Sequence, residues 1–430
     1  MNDLQYADRN ELSSLQSKRL CDTVKRIYDN VAPYRAKMEA AGVKPTDIRS
    51  ADDLYKLPFT DKTDLRDNYP FGLFAVPMEN VVRIHASSGT TGSPTVVGYT
   101  ENDIKMWSEC VKRALVAAGI SNSDRVHVAY GYGMFTGGLG IHYGIERAGA
   151  TVIPSSTGNT EKQLKYLRDF KATALCCTPS YALYIADYMK TKGIDPSELS
   201  LKAGIFGAEP WTENMRKQIE EKLHIKAFDI YGLSEVCGPG VAYECGERSG
   251  LHINEDNFIP EIVDPNTGKV LPDGAQGELV FTCITKEALP LIRYRTHDIA
   301  SITHEKCACG RTFVRMSKPV GRCDDMLIIR GVNVFPSQVE SVLMQFSQVA
   351  PFYQLVVDRK NNLDVLDIKI EMTDSMFSDE VGKIEKLRME IKKEIESLLG
   401  IAANIVLVEP HSLERSEGKS KHVVDNRREI

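Results

Sequence analysis

Several things are missing from this chain, and each absence removes a class of function. No stretch approaches the roughly 20 consecutive apolar residues that a bilayer-spanning helix needs. The first residues, Met1 to Asp8, carry no basic region followed by an apolar core, so neither a membrane anchor nor a secretory leader is expected and the protein is expected in the cytoplasm. Positive charge is not in excess: 53 Lys and Arg against 59 Asp and Glu leave a net charge of −6. A nucleic acid or an anionic membrane surface is therefore not an expected partner. There is no internal repeat and no low-complexity segment. The phosphate-loop spacing G-x-x-x-x-G-K-[ST] is also absent. Ten cysteines are scattered, at 21, 110, 176, 177, 237, 245, 283, 307, 309 and 323. In a reducing compartment they read as buried thiols or metal ligands rather than disulfides.

What is present is ordinary in bulk and specific in detail. At 430 residues, 42% hydrophobic and 26% charged, the chain is long enough for two or three domains with a large core. One stretch organises it. Ser87, Ser88, Gly89, Thr90, Thr91 and Gly92 put four hydroxyls and two glycines into six residues. Glycine lets backbone N–H groups turn inward and hydroxyls add donors, so the loop suits an anion such as a nucleotide phosphate. Apolar runs on both sides read as short strands. A polar hairpin turn explains the same residues equally well.

Around this loop the pattern is α/β. Apolar positions at helical spacing (Leu12, Leu15, Leu20, Val24, Ile27, Val31) predict one or two helices over 11–42, stopped at Gly42. Helices are then expected at 101–119, 139–148, 160–170, 179–192 and 212–223. They alternate with strands at 125–130, 151–154, 174–177, 203–207 and 225–230, the pattern of a parallel sheet. Between strand and helix lies Tyr130 to Gly140, with five glycines in eleven residues beside Tyr132 and Phe135. It reads either as backbone packed around a flat apolar ligand or as a flexible loop.

Five later stretches carry chemistry. Phe206–Trp211 places the small residues Gly207 and Ala208 at a strand end, where a planar base could lie. Phe228–Gly240 offers the flat ring of Tyr231, the hydroxyl of Ser234 and the hard carboxylate oxygen of Glu235, a natural ligand for Mg²⁺. Leu291–Ile299 contains Asp298. Val320–Glu340 is a charged turn, an apolar β-rich run, a glycine turn and a proline-started helix, the anatomy of a domain boundary. Arg415–Lys421 is a polar, basic loop holding Lys419 and Lys421.

Taken in this order, the six stretches resemble the adenylate-forming superfamily of acyl-CoA synthetases, luciferases and peptide-synthetase adenylation domains. Within it they look most like the phenylacetate–CoA ligase family, and Tyr28–Arg35 and Leu57–Leu65 look like the short N-terminal part of that family. The resemblance covers nearly the whole chain. It implies an α/β fold with a large N-terminal domain, residues 1–323, and a small α+β domain, residues 324–430, with strands near 352–357, 364–371 and 404–408 and a helix near 378–398. It also implies ATP-dependent ligation of an arylacetic acid to coenzyme A through an acyl-adenylate, with Mg²⁺, and a homodimer.

The resemblance further implies nucleotide contacts from Ser87, Ser88, Gly89, Thr90, Thr91, Gly92, Gly207, Ala208, Glu209, Asp229, Tyr231, Gly232, Asp298 and Arg322. Asp298 takes the ribose hydroxyls, because a carboxylate accepts two hydrogen bonds in one plane. The acyl pocket is expected from Tyr132, Phe135, Gly207 and Pro239. Lys419, Glu235 and Ser234 are the expected catalytic residues, with Asp324 as hinge. Two residues depart from the family pattern: Ser93 stands where lysine is usual, and Glu414 where proline is common. Two other classes remain open on these residues: an adenylating enzyme that loads a carrier-protein thiol, and a non-catalytic, zinc-stabilised nucleotide-binding protein.

The motif Cys307-Ala-Cys309-Gly lies outside this scheme. It supplies at most two of the ligands of a tetrahedral zinc ion. Cys245 and His252 are the nearest upstream candidates, and the four together would form a Cys3His structural zinc site. Ordinary thiols on loops, or a redox pair, are the alternatives.

Overall fold

The computed structural model describes residues 3–86, 94–323, 327–329, 332–360, 363–377, 381–410, 412–413 and 422–428. The chain forms two compact units: residues 1–208 with 219–318, and residues 209–218 with 319–430.

In the larger unit, Asp8 caps helix α1 (Arg9–Asn30) by accepting the N–H of Asn10. Leu12, Leu20, Val24 and Ile27 bury one face of that helix. The expected run of helix breaks at Val31, and α2 (Ala32–Ala40) follows with a proline in its first turn. Gly42, at φ +69°, ends it in the left-handed conformation that glycine adopts freely. After α3 (Lys62–Asp67), strands β1 (Arg83–Ala86) and β2 (Val96–Tyr99) pair antiparallel, Ala86 opposite Val96.

Helix α4 (Glu101–Ala117) starts at a reciprocal cap between Thr100 and Asp103, a device that satisfies two orphan N–H groups. Then come β3 (Arg125–Val128), α5 (Thr136–Arg147), β4 (Thr151–Ile153), α6 (Thr160–Asp169), β5 (Ala174–Cys177), α7 (Pro179–Thr191), β6 (Ala203–Phe206), α8 (Glu213–Leu223, whose residues up to Gln218 fall in the smaller unit) and β7 (Lys226–Tyr231). Strands β8 (Ala242–Glu244) and β9 (Leu251–Ile253) follow. Next are β10 (Phe258–Val263), β11 (Gly277–Cys283), β12 (Tyr294–Ala300), β13 (Ile302–Thr303) and β14 (Arg315–Met316).

A nine-stranded sheet runs β13-β14-β9-β8-β7-β6-β5-β3-β4. The five strands from β7 to β4 are mutually parallel, as the alternation predicts, and the β8 side is antiparallel. Strands β10, β11 and β12 pair antiparallel in a different sheet. Buried helix and strand faces from both sheets merge into one apolar core containing Val111, Val126, Ile205, Ile230, Leu279 and Phe281.

Helix α5 begins at Thr136, three residues earlier than the pattern suggests, and this changes the meaning of the glycine-rich stretch. A Cβ on Gly140 would lie 2.3 Å from the Trp107 ring and 2.9 Å from Pro239. One on Gly144 would lie 2.2 Å from Val111. These glycines let α5 and α4 approach, so part of the glycine density serves helix packing.

The smaller unit contains the short β15 (Gly321–Arg322), the hairpin β16 (Leu327–Ile329) and β17 (Val332–Val334), and α9 (Pro336–Leu343). Long strands β18 (Val349–Lys360) and β19 (Leu363–Met372) pair antiparallel, followed by α10 (Asp374–Phe377) and α11 (Val381–Leu399). Strand β20 (Asn404–Val408) adds parallel to β19, and β21 (Val423–Asp425) adds parallel to β18. Leu355, Ile368, Ile370, Ile391 and Ile395 fill its separate core.

Candidate active site

In a parallel α/β sheet the functional crevice lies beyond the carboxyl ends of the strands. The larger unit places several of the predicted residues at that end of its sheet. Gly207 follows β6, and a Cβ on it would lie 2.2 Å from the carbonyl oxygen of Ile230, so only glycine fits. Ala208 takes φ +72°, a left-handed conformation that costs a non-glycine residue roughly 1–2 kcal/mol. Tyr231 ends β7, and its hydroxyl donates to Oδ2 of Asp298 on β12 at 2.5 Å. The Asp298 N–H in turn donates to Thr296 Oγ1 at 3.0 Å. One residue earlier, His297 takes φ +64°, and its N–H donates to buried Glu278 at 3.1 Å. Asp229, within β7, donates its N–H to Glu244 at 2.8 Å, and its carboxylate lies 3.6 Å from the Lys318 ammonium.

The turn after β7 is tight. The N–H groups of Val236 and Cys237 both donate to the carbonyl of Leu233, at 3.1 and 3.0 Å. A Cβ on Gly232 would meet the carbonyl oxygen of Cys237 at 2.7 Å. This turn carries the two predicted polar residues. Ser234 Oγ lies 3.1 Å from Thr136 Oγ1, at the first residue of α5. Glu235, buried, accepts from Thr95 Oγ1 at 3.3 Å. Thr95 leads into β2, just beyond the serine- and threonine-rich stretch in the sequence.

Next to this turn lies an aromatic cluster that the sequence did not single out. Tyr99 and Trp107 stack at 4.9 Å, with buried His85 edge-on to both. Trp107 Nε1 donates to the carbonyl of Pro239 at 2.7 Å, and His85 Nδ1 lies 3.0 Å from the carbonyl of Met134. A carbonyl oxygen only accepts, so Nδ1 carries the proton and donates to it, and burial pulls the imidazole below its ordinary value. Tyr132, expected in the acyl pocket, has its hydroxyl 3.3 Å from His142 Nδ1. Phe135 is exposed. Trp107 is one of two tryptophans, the only signal that could have drawn attention to this cluster.

Ser87, Ser88, Gly89, Thr90, Thr91, Gly92, Ser93, Asp324, Glu414, Lys419 and Lys421 lie outside the described residues. Glu209 and Arg322 belong to the smaller unit. The larger unit brings together Gly207, Ala208, Tyr231, Gly232, Ser234, Glu235, Pro239 and Asp298.

The cysteine cluster closes as the spacing suggests. One ligand atom each from Cys245, His252, Cys307 and Cys309 lies within 4.8 Å of all the others. Cys245 Sγ and Cys307 Sγ are 3.8 Å apart, and Cys309 Sγ is 3.4 Å from His252 Nε2. The other nitrogen, Nδ1, lies 3.3 Å from the carbonyl of Phe313. That carbonyl fixes the tautomer and leaves Nε2 as a lone-pair donor toward the sulfurs. Burial holds the imidazole down at about 4, so it is neutral. The β8–β9 hairpin supplies Cys245 and His252, and the loop between β13 and β14 supplies the Cys-x-Cys pair.

Among the described residues, no helix is long and apolar enough to cross a membrane. Residues 9–283 match the model of the AMP-binding enzyme family, and residues 331–427 match that of the AMP-binding enzyme C-terminal domain. The chain is 53% identical to the phenylacetate-coenzyme A ligase of Escherichia coli strain K12, over 99% of this chain and 98% of that one. It is 50% identical to the phenylacetate-coenzyme A ligase of Thermus thermophilus, over 99% of each. Its fold is similar to that of a 2-hydroxyisobutyryl-CoA ligase crystallised in the postadenylation state in complex with R3-HIB-AMP. That match has a TM-score of 0.91 and 28% identity, covering 98% of this chain and 91% of the other. A strand-end crevice with a tyrosine–aspartate pair and a serine–glutamate turn, on a chain matched this fully, belongs to the AMP-binding enzyme family and, within it, to the phenylacetate-coenzyme A ligases.

Proposed function

We propose how this chain carries out its family's reaction, the ATP-dependent joining of phenylacetate to coenzyme A with release of AMP and pyrophosphate, and which of its residues do so. The observation that carries the residue assignment is the convergence of the Tyr231–Asp298 pair and the Ser234–Glu235 turn beyond the ends of β6 and β7, with Glu235 bonded to Thr95, which follows the hydroxyl-rich stretch in sequence.

In the first step a carboxylate oxygen of the acid attacks the α-phosphorus of the Mg²⁺-bound ATP substrate. The bond to the bridging oxygen breaks and pyrophosphate leaves with that electron pair. Tyr231 and Gly207 bracket the base, with Ala208, Glu209 and Gly232 beside it, and Asp229 nearby. Asp298 accepts from the ribose hydroxyls and Arg322 assists on the ribose or phosphate side. Residues 87–92 surround the phosphates, Ser234 donates to the α-phosphate, and Glu235 offers an oxygen to the Mg²⁺ that enters with the nucleotide. Lys419 neutralises charge developing in the transition state. In the second step the thiol sulfur of coenzyme A attacks the acyl-adenylate carbonyl. The carbon–oxygen bond to AMP breaks, and the thiol proton is lost to solvent. Lys419 withdraws between the steps as residues 324–430 turn about Asp324. Tyr132, Phe135, Gly207 and Pro239 form the acyl pocket, whose aromatic character favours arylacetates over alkyl acids.

The cysteine cluster supports a second part of the reading, a structural zinc ion held by Cys245, His252, Cys307 and Cys309. Zinc–sulfur bonds of about 2.3 Å at tetrahedral angles put two ligand sulfurs about 3.8 Å apart, and a sulfur and an imidazole nitrogen about 3.5 Å apart. The distances here, 3.8 and 3.4 Å, fit. Four protein ligands close the site, so the ion ties β8 and β9 to the 307–309 loop and carries out no chemistry. A homodimer, on the family resemblance, and a cytoplasmic location complete the proposal.

The test is pyrophosphate–ATP exchange on the purified protein across a panel of aryl and alkyl acids, first without and then with coenzyme A. Exchange with arylacetates, followed by AMP and acyl-CoA formation on adding coenzyme A, is expected. Exchange that never turns over with coenzyme A would overturn the acceptor. Equal rates for alkyl and aryl acids would overturn the pocket.

A further inference from the structure

Lys286 is completely buried, which is rare for a lysine. Its Nζ donates to two backbone carbonyls, those of Glu235 and Val236, each at 3.1 Å. It also sits 4.6 Å from the centroid of the Tyr99 ring. An ammonium has three N–H donors; two are used by carbonyls and the remaining face meets the electron-rich ring.

The loop that carries Lys286 is clamped on both sides. Thr285 Oγ1 donates to Asn257 at 3.0 Å. The N–H groups of Glu287 and Ala288 donate to the carboxylate of buried Asp103, at 2.6 and 3.0 Å. The Glu287 side chain accepts from Thr100 Oγ1 at 2.8 Å. The ammonium is thus held at one place, and that place is the backbone of the turn bearing Ser234 and Glu235. Burying an ammonium is costly, and an apolar chain of the same length would fill the space without that cost. Packing therefore does not account for the charge.

We infer that Lys286 is a positioning residue: its caged ammonium fixes the Glu235–Val236 backbone and so holds Ser234 and Glu235 in place for the metal-bound triphosphate. The inference rests on the reading of Glu235 as a Mg²⁺ ligand. It predicts a defect in metal use rather than in acid binding. Lys286→Met keeps the chain length and removes every donor. Lys286→Gln keeps two N–H donors without the charge.

The experiment is pyrophosphate–ATP exchange with phenylacetate at varied Mg²⁺, with Glu235→Gln alongside and thermal melts of each protein. Lys286→Met is expected to raise the Mg²⁺ needed for half-maximal exchange about tenfold, with the phenylacetate KM unchanged and the melting temperature equal or higher. Lys286→Gln should fall between it and the parent. A folded Lys286→Met protein whose Mg²⁺ dependence stays within twofold of the parent overturns the inference. So does a loss of folding in both variants, which makes the ammonium a stability element only. A Glu235→Gln protein with unchanged Mg²⁺ dependence, beside a shifted Lys286→Met, overturns the metal role of Glu235 instead.

Discussion

The Tyr231 hydroxyl donates to Asp298 at 2.5 Å, joining the end of a parallel strand to a strand of a different sheet, 67 residues away. A hydrogen bond to a carboxylate contributes about 1.5–3 kcal/mol. Here it orients the group proposed to take the ribose. Tyr231→Phe keeps the ring and removes the bond, so the KM for ATP should rise about tenfold while that for phenylacetate stays put. Asp298→Asn should cost at least as much. The double mutant should cost less than the two combined, because the residues act as a pair. Steady-state kinetics of the four proteins give the coupling, and a value near zero would separate the two roles.

The cluster of Cys245, His252, Cys307 and Cys309 makes a compositional prediction. Protein purified without chelator should contain about one zinc per chain by elemental analysis, and Cys309→Ser should contain far less. At a thousandfold excess of free ion over its dissociation constant, binding adds about 4 kcal/mol to stability. Chelation should therefore lower the melting temperature by several degrees, and zinc should restore it. Metal-free protein with an unchanged melt would sink the site.

Glu340, in α9, is buried beneath Tyr353, whose hydroxyl donates to it at 3.2 Å. Burial pushes its carboxyl from the ordinary 4.5 up to about 7. The folded state thus holds a proton that the unfolded state has released across that interval. Stability linked to this group is full below 4.5 and falls as pH rises through 7, by ~3 kcal/mol in all. Glu340→Gln keeps the shape and cannot ionise. It should match the parent near pH 5 and exceed it at pH 8 in denaturant midpoint. Parallel pH profiles for the two proteins would refute the assignment.

His297 holds φ +64° in β12, where the pairing with β11 shifts register between Glu278 and Val280. Glycine suits that backbone, and a β-branched residue does not. His297→Val should lose about 1–2 kcal/mol relative to His297→Gly by urea unfolding. The glycine protein should lie within about 1 kcal/mol of the parent, since relieved strain offsets chain entropy. The reverse order would mean that the side-chain contact with Glu278, 3.4 Å away, matters more than the backbone.

Short-range signals along the chain set the local grammar of this protein. Apolar runs of strand length between amphipathic stretches marked the five parallel strands. Small residues at strand ends, a Tyr-Gly-x-Ser-Glu turn and a lone Asp298 marked the residues proposed to take the nucleotide. The pair Cys307 and Cys309 pointed to the cluster that folding completes with Cys245 and His252. Each signal lies within a few residues, where periodicity and turn chemistry act. What those groups meet is set by long-range packing. The glycines of 131–140 read as pocket lining or flexible loop, yet Gly140 proves to be a contact point of α5 on α4, because a missing Cβ looks the same whether ligand or helix fills the space. Strand β21 is three residues long and is defined only by its pairing with β18. Lys286 reads as one more loop charge, yet folding buries it against carbonyls about 50 residues away. Burial at that distance is set by which sheets and loops pack together, and no window along the chain contains that information.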